Sequence, residues 1–422
     1  MTASSQRAVA GLLRVATAGS VDDGKSTLLG RLLHDAKGVL ADQLAAVAAA
    51  SERRGGPDAA PDLSLLTDGL RAEREQGITI DVAYRYVATA RRTFVLADTP
   101  GHVEYTRNMV TGASTADVAL VLVDVRHGIT AQSRRHAAIA ALLRVPQVVL
   151  VVNKMDLVGW DRSAYEHVAA EFRTWSGRLG IRGVVAVPVS ALQGDNVVAP
   201  SELAPWYAGP TLLEHLETVE AGPERTRSLR FPVQYVVRAP EQGYRGYAGR
   251  VAGGAVRPGD PVVVLPSGAR TAVAAVETYD GPLESAEEGR SVVLRLADDV
   301  DVARGDLLAP AADPPALTRA FEATVCWLAD EPLGPRRYLL KHTARTTRAV
   351  VEVTGVLDVT TAALGPASGL SLNDLGRVRL RTAEAVALDD YAANRRTGAF
   401  ILIDEASGAT VAAGMAGPLP WA

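Results

Sequence analysis

The chain has 422 residues, and at about 150 residues per domain that length suggests three domains. Its composition, 48% hydrophobic and 22% charged, supplies apolar material for several cores and excludes disorder as the main state. Acidic residues outnumber basic ones 48 to 44, a net charge of −4, which gives no support to a nucleic-acid binder held by a basic surplus.

The first apolar stretch, Ala8–Ala18, is interrupted by Arg14 and runs into a Gly-rich loop, so it reads as a buried strand rather than a signal-peptide core. No apolar run reaches the roughly 18–20 residues of a membrane helix, and the expectation is a cytoplasmic protein with no membrane partner. Strand candidates follow at Leu12–Ala18, Ile80–Val87, Arg92–Ala97, Val118–Val125, Gln147–Val152 and Val184–Val189, each short and nearly continuous in apolar character. Helical stretches such as Ser26–His34, Ala131–Leu143 and Ala164–Arg178 lie between them. This alternation predicts an α/β domain over 1–222, a mostly parallel sheet with helices on both faces.

Leu212–Val219 reads as its last helix and Ala221-Gly222-Pro223 as a linker. Beyond it, Leu229, Phe231, Val233, Tyr235 and Val237 alternate with more polar neighbours, and turn signals recur at Gly253-Gly254, Pro258-Gly259-Asp260 and Asp280-Gly281-Pro282. An antiparallel β-barrel is predicted over 228–312. After the proline-bearing junction Pro310–Pro315, strands at Phe321–Leu328, Arg348–Val353, Gly376–Arg381 and Ala399–Ile403 predict a second barrel over 316–418. Arg377, Arg379 and Arg381 share one strand face, read as solvated rather than as a surface for an acidic partner. Cys326, the single cysteine, excludes an intrachain disulfide and reads as a small buried hydrophobe in a protein of a reducing compartment.

Gly19-Ser20-Val21-Asp22-Asp23-Gly24-Lys25-Ser26, with Thr27 after it, matches the phosphate-binding loop G-x-x-x-x-G-K-[ST] between a predicted strand and helix. Its glycines let backbone N–H groups close on phosphates, Lys25 bridges the β- and γ-phosphates, and the Ser26 hydroxyl coordinates Mg²⁺. Asp98-Thr99-Pro100-Gly101 ends the third strand, where Asp98 can reach Mg²⁺ and the Gly101 N–H the γ-phosphate. Asn153-Lys154-Met155-Asp156 ends the fifth. There the Asp156 carboxylate can accept both the N1–H and the 2-amino hydrogens of guanine, Asn153 can bond N7 or tie loops together, and the Lys154 stem can lie over the base. Ser190-Ala191-Leu192 would supply a backbone N–H to the guanine O6. The nucleotide read from these residues is GTP. Only four of the 44 basic residues are lysines (Lys25, Lys37, Lys154 and Lys341), so the background prefers arginine. Positions that stay lysine are candidates for sites needing a compact charge, and two of them fall in these motifs.

In this order the motifs resemble those of the translation-factor-type GTPases. Gln76-Gly77-Ile78-Thr79-Ile80-Asp81 is similar to that family's first switch, whose threonine, here Thr79, closes on Mg²⁺ and the γ-phosphate. Asp98-Thr99-Pro100-Gly101-His102 is similar to the second switch, whose histidine, here His102, orients the attacking water. The resemblance implies catalytic roles for His102, Lys25 and Thr79, metal ligation by Ser26, Thr79 and Asp98, and in some members a monovalent cation near Asp22. Ser20–Leu28, followed by Gly30-Arg31-Leu32-Leu33-His34-Asp35, together with Asp68–Gln76, Pro205-Trp206-Tyr207, Phe231–Val236 and Tyr391–Phe400, resembles the GTPase subunits of ATP sulfurylase (sulfate adenylyltransferase subunit 1). Translation factors usually carry His or Ala where Asp23 stands. This resemblance implies a heteromer with a small adenylyltransferase subunit that makes adenylylsulfate and pyrophosphate from ATP and sulfate, driven by GTP hydrolysis. Delivery of aminoacyl-tRNA, as in elongation factors, is the alternative. Some such subunits carry a C-terminal adenylylsulfate kinase; with one phosphate loop and Trp421-Ala422 as its last residues, this chain is expected to lack it.

Overall fold

The computed structural model describes residues 11–38, 42, 44–45, 47–49, 51, 61–66, 81–102, 106–220, 228–239, 243–359 and 361–419, which fall into two compact units. The first unit is built on a six-stranded sheet: β1 Leu12–Ala18, β2 Ala83–Ala88, β3 Thr93–Asp98, β4 Val118–Asp124, β5 Gln147–Asn153 and β6 Val185–Pro188. Their order in space is β2-β3-β1-β4-β5-β6. β1 pairs in parallel with both β3 and β4, and the run continues in parallel through β5 and β6, while β2 is antiparallel to β3. Every residue of β4 and all but Gln147 of β5 are buried, the burial expected of strands covered on both faces. The α/β expectation therefore holds, with strand ends shifted by a few residues.

Helices α1 Lys25–Asp35, α2 Thr106–Ser114, α3 Ala131–Leu142, α4 Arg162–Arg178 and α5 Leu212–Thr218 complete the described part of this unit's framework. Their starts are chemically specified. Thr130 caps α3 by accepting from Ser133 N–H (3.1 Å), Asp161 caps α4 through Ser163 N–H (2.9 Å), and Thr211 and Glu214 form a reciprocal capping box on α5. The other end of α5 is held by Arg92, which is buried and donates to the Leu216 and Val219 carbonyls at 2.9 and 2.7 Å, a cation where the helix exposes its free acceptors. Because β1 lies between β3 and β4, the chain's crossovers diverge on either side of it. The loop after β1 thus sits where an open α/β sheet forms a crevice at its strand carboxyl ends.

Beside a small two-stranded sheet, the second unit contains two seven-stranded sheets. In each, the first and sixth strands of the order also pair with one another, closing a six-stranded antiparallel barrel with a seventh short strand appended. Closure removes the exposed strand edges that would otherwise template aggregation. Phe231, Val233, Tyr247, Val262, Val264 and Leu294 fill the first barrel, and Val325, Trp327, Tyr338, Leu340, Val378, Leu380 and Leu402 the second. Cys326 is buried as expected.

The strands of the second barrel are longer than the sequence suggests: Ala316–Trp327 has 12 residues, and Arg345–Asp358 and Leu375–Leu388 have 14 each. Bulges between Thr318 and Ala320 and between Val353 and Gly355 interrupt the alternation, which is why a strict period of two picks out only part of each strand. The arginine face is ion-paired: Arg377 and Arg379 reach Glu322 across the ladder at 2.6 and 3.4 Å, and Arg379 also approaches Glu352. That agrees with a solvated strand face.

A buried bidentate pair joins the two sheets of this unit. Arg230 Nε and Nη2 donate to the Asp389 carboxylate at 2.8 and 3.0 Å, and Arg230 Nη1 donates to the Leu229 and Asp313 carbonyls. Thr397 Oγ1 adds a further bond to Asp389, so neither buried charge lacks partners. Val263, Leu265, Leu307 and Ala309 pack with Ala387 as a small apolar cluster shared between the barrels.

Candidate functional site

The ends of β1, β3, β4, β5 and β6 carry the segments singled out in the sequence. After β1 the phosphate-binding loop turns through three positive φ angles, at Gly19 (151°), Asp22 (67°) and Gly24 (90°). Gly24 has no tolerable replacement, because a Cβ there would lie 2.5 Å from Asn153 Nδ2 as well as being strained by its φ. Asp23 is buried, and its carboxylate accepts from Ser20 N–H at 2.6 Å, bracing the loop from within. Burial pushes the Asp23 carboxyl up, opposed by the Ser20 N–H and by the charge of Lys25.

Lys25 Nζ donates to the Gly19 and Ser20 carbonyls at 3.1 and 2.8 Å. Burial pushes the Lys25 ammonium down, while Asp98, Asp23 and Asp22 pull it back towards the charged form. Asp98 is buried and accepts from Thr17 Oγ1 at 3.1 Å. Gly101, three residues on, lies against the phosphate loop so closely that a Cβ would meet Ser20 C and Gly19 O at 2.8 and 2.9 Å. The first two motifs are thus packed on one another. His102 follows Gly101 and is exposed. Thr79 and the segment Gln76–Ile80 lie outside the described residues.

The base-side residues are tied to the same loop. Asn153 Nδ2 donates to the Asp23 carbonyl at 2.7 Å, and Asn153 Oδ1 accepts from Ala191 N–H at 2.9 Å. Of the two roles read for Asn153, the structure shows the loop tie. Lys154, in the left-handed region at φ 64°, places Nζ 3.0 Å from Asp124 Oδ2, so its head is anchored. Asp156 is the second residue of a short 3₁₀ turn, Met155–Val158, and is half-buried. Ser190 and Ala191 are buried and Leu192 is exposed; Arg31 donates to the Ala191 and Leu192 carbonyls, holding that loop to α1.

Two supporting groups escaped the sequence reading. Asp124, at the end of β4, accepts bidentate bonds from Arg126 (3.0 and 2.7 Å) as well as the contact from Lys154. Burial pushes its carboxyl up, but the Arg126 and Lys154 bonds outweigh that and hold it well below the usual carboxylate range. An acid closing an apolar strand in line with Asp98 and Asn153 was the available signal. His136 on α3 is fully buried; its Nδ1 accepts from Gly19 N–H at 2.9 Å, so its proton sits on Nε2 and needs the oxygen of the Gln132 side-chain amide, which lies 2.9 Å away, as acceptor. Gln132 and His136, one turn apart and so on one face of the helix, carried a signal of their own.

As a metal site, the Ser26 hydroxyl and the Asp98 carboxylate are hard oxygen donors placed around Lys25. That set suits Mg²⁺, which takes one or two protein ligands beside phosphate oxygens and water. Among the described residues there is no cluster of three or more His, Cys, Asp or Glu side chains able to hold a metal by themselves, and no helix long and apolar enough to cross a membrane.

A glycine-rich loop braced against an Asp-x-x-Gly turn, with an Asn-Lys-x-Asp segment tied to the same loop, is the constellation of a P-loop GTPase. The family profile described as the elongation factor Tu GTP binding domain matches residues 11–221, and the GTP-eEF1A C-terminal domain-like profile matches residues 320–416. The bifunctional enzyme CysN/CysC of Mycobacterium tuberculosis (strain CDC 1551 / Oshkosh) is 54% identical over 414 residues, covering 96% of this chain and 67% of that protein. Sulfate adenylyltransferase subunit 1 of Cellvibrio japonicus (strain Ueda107) is 48% identical over 407 residues, and that of Methylorubrum populi (strain ATCC BAA-705 / NCIMB 13946 / BJ001) 49%, each alignment covering 96% of this chain and 86% of the relative. The chain belongs to the sulfate adenylyltransferase subunit 1 family, and its first unit is a GTP-binding domain.

Burial, reinforced by the charges of Lys25 and Arg135, pushes His136 down to about 3 in the folded protein. The folded value lies below the ordinary value of about 6.5, so the unfolded chain binds the extra proton and stability rises with pH across that window. This contribution is complete above about pH 6.5 and is lost as pH falls towards 3, at up to about 1.4 kcal/mol per pH unit. Denaturant unfolding of the wild type and of His136→Gln between pH 7 and 5 checks it: the difference between the two proteins changes with that slope. Parallel curves would refute a neutral buried His136.

Proposed function

We propose that this chain is the GTP-hydrolysing subunit of a heteromeric sulfate adenylyltransferase, paired with a small subunit that converts ATP and sulfate to adenylylsulfate and pyrophosphate. The observation that carries this reading is the extent of the similarity: relatives named for that activity align over 96% of the chain, barrels included, and not over the phosphate loop alone. The proposed division is a GTPase domain over 1–222 and two β-barrels over 228–312 and 316–418.

In the proposed mechanism the backbone of Gly19–Thr27 cradles the phosphates. Lys25 exchanges its Gly19 and Ser20 carbonyl partners for β- and γ-phosphate oxygens, replacing neutral acceptors by charged ones that make stronger bonds. Ser26, Asp98 and Thr79 would hold Mg²⁺, which neutralises charge developing between the β- and γ-phosphates. The Gly101 N–H meets the γ-phosphate, so its loss on hydrolysis releases the segment carrying His102. His102 orients water for attack on the γ-phosphorus, and GTP and water become GDP and phosphate. Asp156 reads the guanine N1–H and 2-amino group, Lys154 covers the base, and the Ser190–Leu192 loop faces O6. A monovalent cation beside Asp22 belongs to the same proposal. The physical basis of coupling is a two-state element: switches ordered by the γ-phosphate gate the partner's active site.

Three measurements test this reading. Co-purified with the small subunit, the chain should release pyrophosphate from ATP and sulfate much faster with GTP than without it; tRNA-dependent GTP hydrolysis in place of that stimulation would revive the elongation-factor reading. His102→Ala should leave GTP affinity nearly intact and slow hydrolysis by about 10²-fold or more, within the range of positioned polar groups; a weakened affinity with unchanged turnover would make His102 structural. Asp156→Asn should lose at least about tenfold in GTP affinity, because one acceptor oxygen becomes a donor facing the 2-amino group. It should gain preference for xanthosine triphosphate, whose carbonyl at that position accepts from the new amide. A retained guanine preference would remove Asp156 from base recognition.

A further inference from the structure

The second unit holds a cluster of cations that the GTPase mechanism does not use. Arg250 and Arg304 from the first barrel and Lys341 and Arg396 from the second line one cavity of about 420 Å³, and no carboxylate lines it. Elsewhere in this unit arginines meet acids: Arg230 meets Asp389, Arg345 meets Asp306 and Glu384, and Arg377 meets Glu322. Here two of the four cations bond backbone carbonyls instead. Arg250 Nε donates to the Gly289 carbonyl at 2.8 Å and Arg304 Nη1 to the Gln234 carbonyl at 3.0 Å. Arg396 has its carboxylate contact, Glu288, at 3.9 Å, and Lys341 is exposed and takes no ion pair among the described residues. In a chain with more acids than bases, four cations gathered around a cavity with no acidic lining concentrate positive potential there, which favours an anion.

The walls are built rather than incidental. Asn394 Nδ2 donates to the carbonyl of Ala252, a lining residue, at 3.1 Å with both groups buried. Gly305, next to Arg304, approaches the Ala344 carbonyl so closely that a Cβ would lie 3.3 Å from it. Thr343 on the rim is a β-branched residue held at φ 50°, an uncommon and costly backbone state. A volume of this size lies within the range of small-molecule sites and exceeds what one tetrahedral ion needs. Lys341 is one of four lysines among 44 basic residues, a compact, mobile charge beside arginines whose planar forks suit oxyanions.

We propose that this inter-barrel cavity binds a small polyanion made of two linked tetrahedral oxyanion groups, of the diphosphate or phosphosulfate class. Arg250, Arg304 and Arg396 would supply directional donors, and Lys341 the charge at the mouth. The site lies wholly within the second unit and does not depend on the identity of the partner enzyme. The test uses the full chain with its nucleotide site filled by GDP and Mg²⁺, titrated calorimetrically with inorganic pyrophosphate and, separately, inorganic sulfate. The expected result is one saturable pyrophosphate site, weakened by added salt, with sulfate bound at least tenfold less tightly. Lys341→Glu should weaken pyrophosphate binding at least tenfold and leave GDP affinity and the melting curve unchanged, while Lys341→Arg retains binding. Absence of saturable pyrophosphate binding, or equal affinity in Lys341→Glu, overturns the proposal; equal affinity for sulfate overturns the two-group ligand. Loss of a protein partner on Lys341→Glu, without pyrophosphate binding to the wild type, also overturns it and assigns the surface to an acidic protein segment.

Discussion

The Asn153 side chain is the interaction on which the nucleotide site depends. Its amide NH₂ holds the Asp23 carbonyl, 130 residues earlier, and its oxygen holds the Ala191 N–H, 38 residues later. One planar group thus sets the spacing between the phosphate loop and the base loop. All the groups involved are buried, so losing the amide would leave a carbonyl and an N–H without partners, at about 1–3 kcal/mol each. The same contact explains Gly24, where a side chain would strike the Asn153 amide nitrogen. Tight backbone approach and base-side architecture are one constraint.

Around that clamp, the buried charges of the first unit are arranged in compensating sets. Lys25 lies among Asp98, Asp23 and Asp22, and Lys154 and Arg126 share Asp124. An isolated buried ammonium or carboxylate would neutralise instead of staying charged. Burial pushes the Lys25 ammonium down and the surrounding carboxylates pull it back towards the charged form, while its hydrogens rest on carbonyls of the loop that would bind phosphate. His136 contributes in the opposite sense. As a buried neutral acceptor, it satisfies the first N–H of the loop without adding another cation beside Lys25.

The second unit solves a different problem. Two closed barrels have no free edges, so they meet through side chains: the buried Arg230–Asp389 fork, the Asn394 bond to Ala252, and a small apolar cluster around Leu307 and Ala387. A buried bidentate pair specifies geometry more than it adds stability. Its partners, Leu229, Asp313 and Thr397, fix the rotamer of each charge. That fixed seam brings Arg250 and Arg304 of one barrel to the same cavity as Lys341 and Arg396 of the other.

Much of this was legible in the chain alone. The α/β unit follows from apolar strands alternating with helices, and the motifs from Gly19 to Ser26, Asp98 to Gly101 and Asn153 to Asp156 announce themselves because backbone approach and guanine chemistry tolerate so few residue types. Residue type alone also indicated the burial of Cys326. What the tertiary structure decided is whatever depends on residues far apart in sequence: that Asn153 ties loops, that Asp124 anchors Lys154, that His136 supports Gly19, and that bulges lengthen and bend the strands of the second barrel. An ordinary histidine on a helix, an acid ending a strand or a lysine in a hairpin carries no local mark of its partner. Periodicity reports which face of an element is buried; only the packed fold determines which groups meet there.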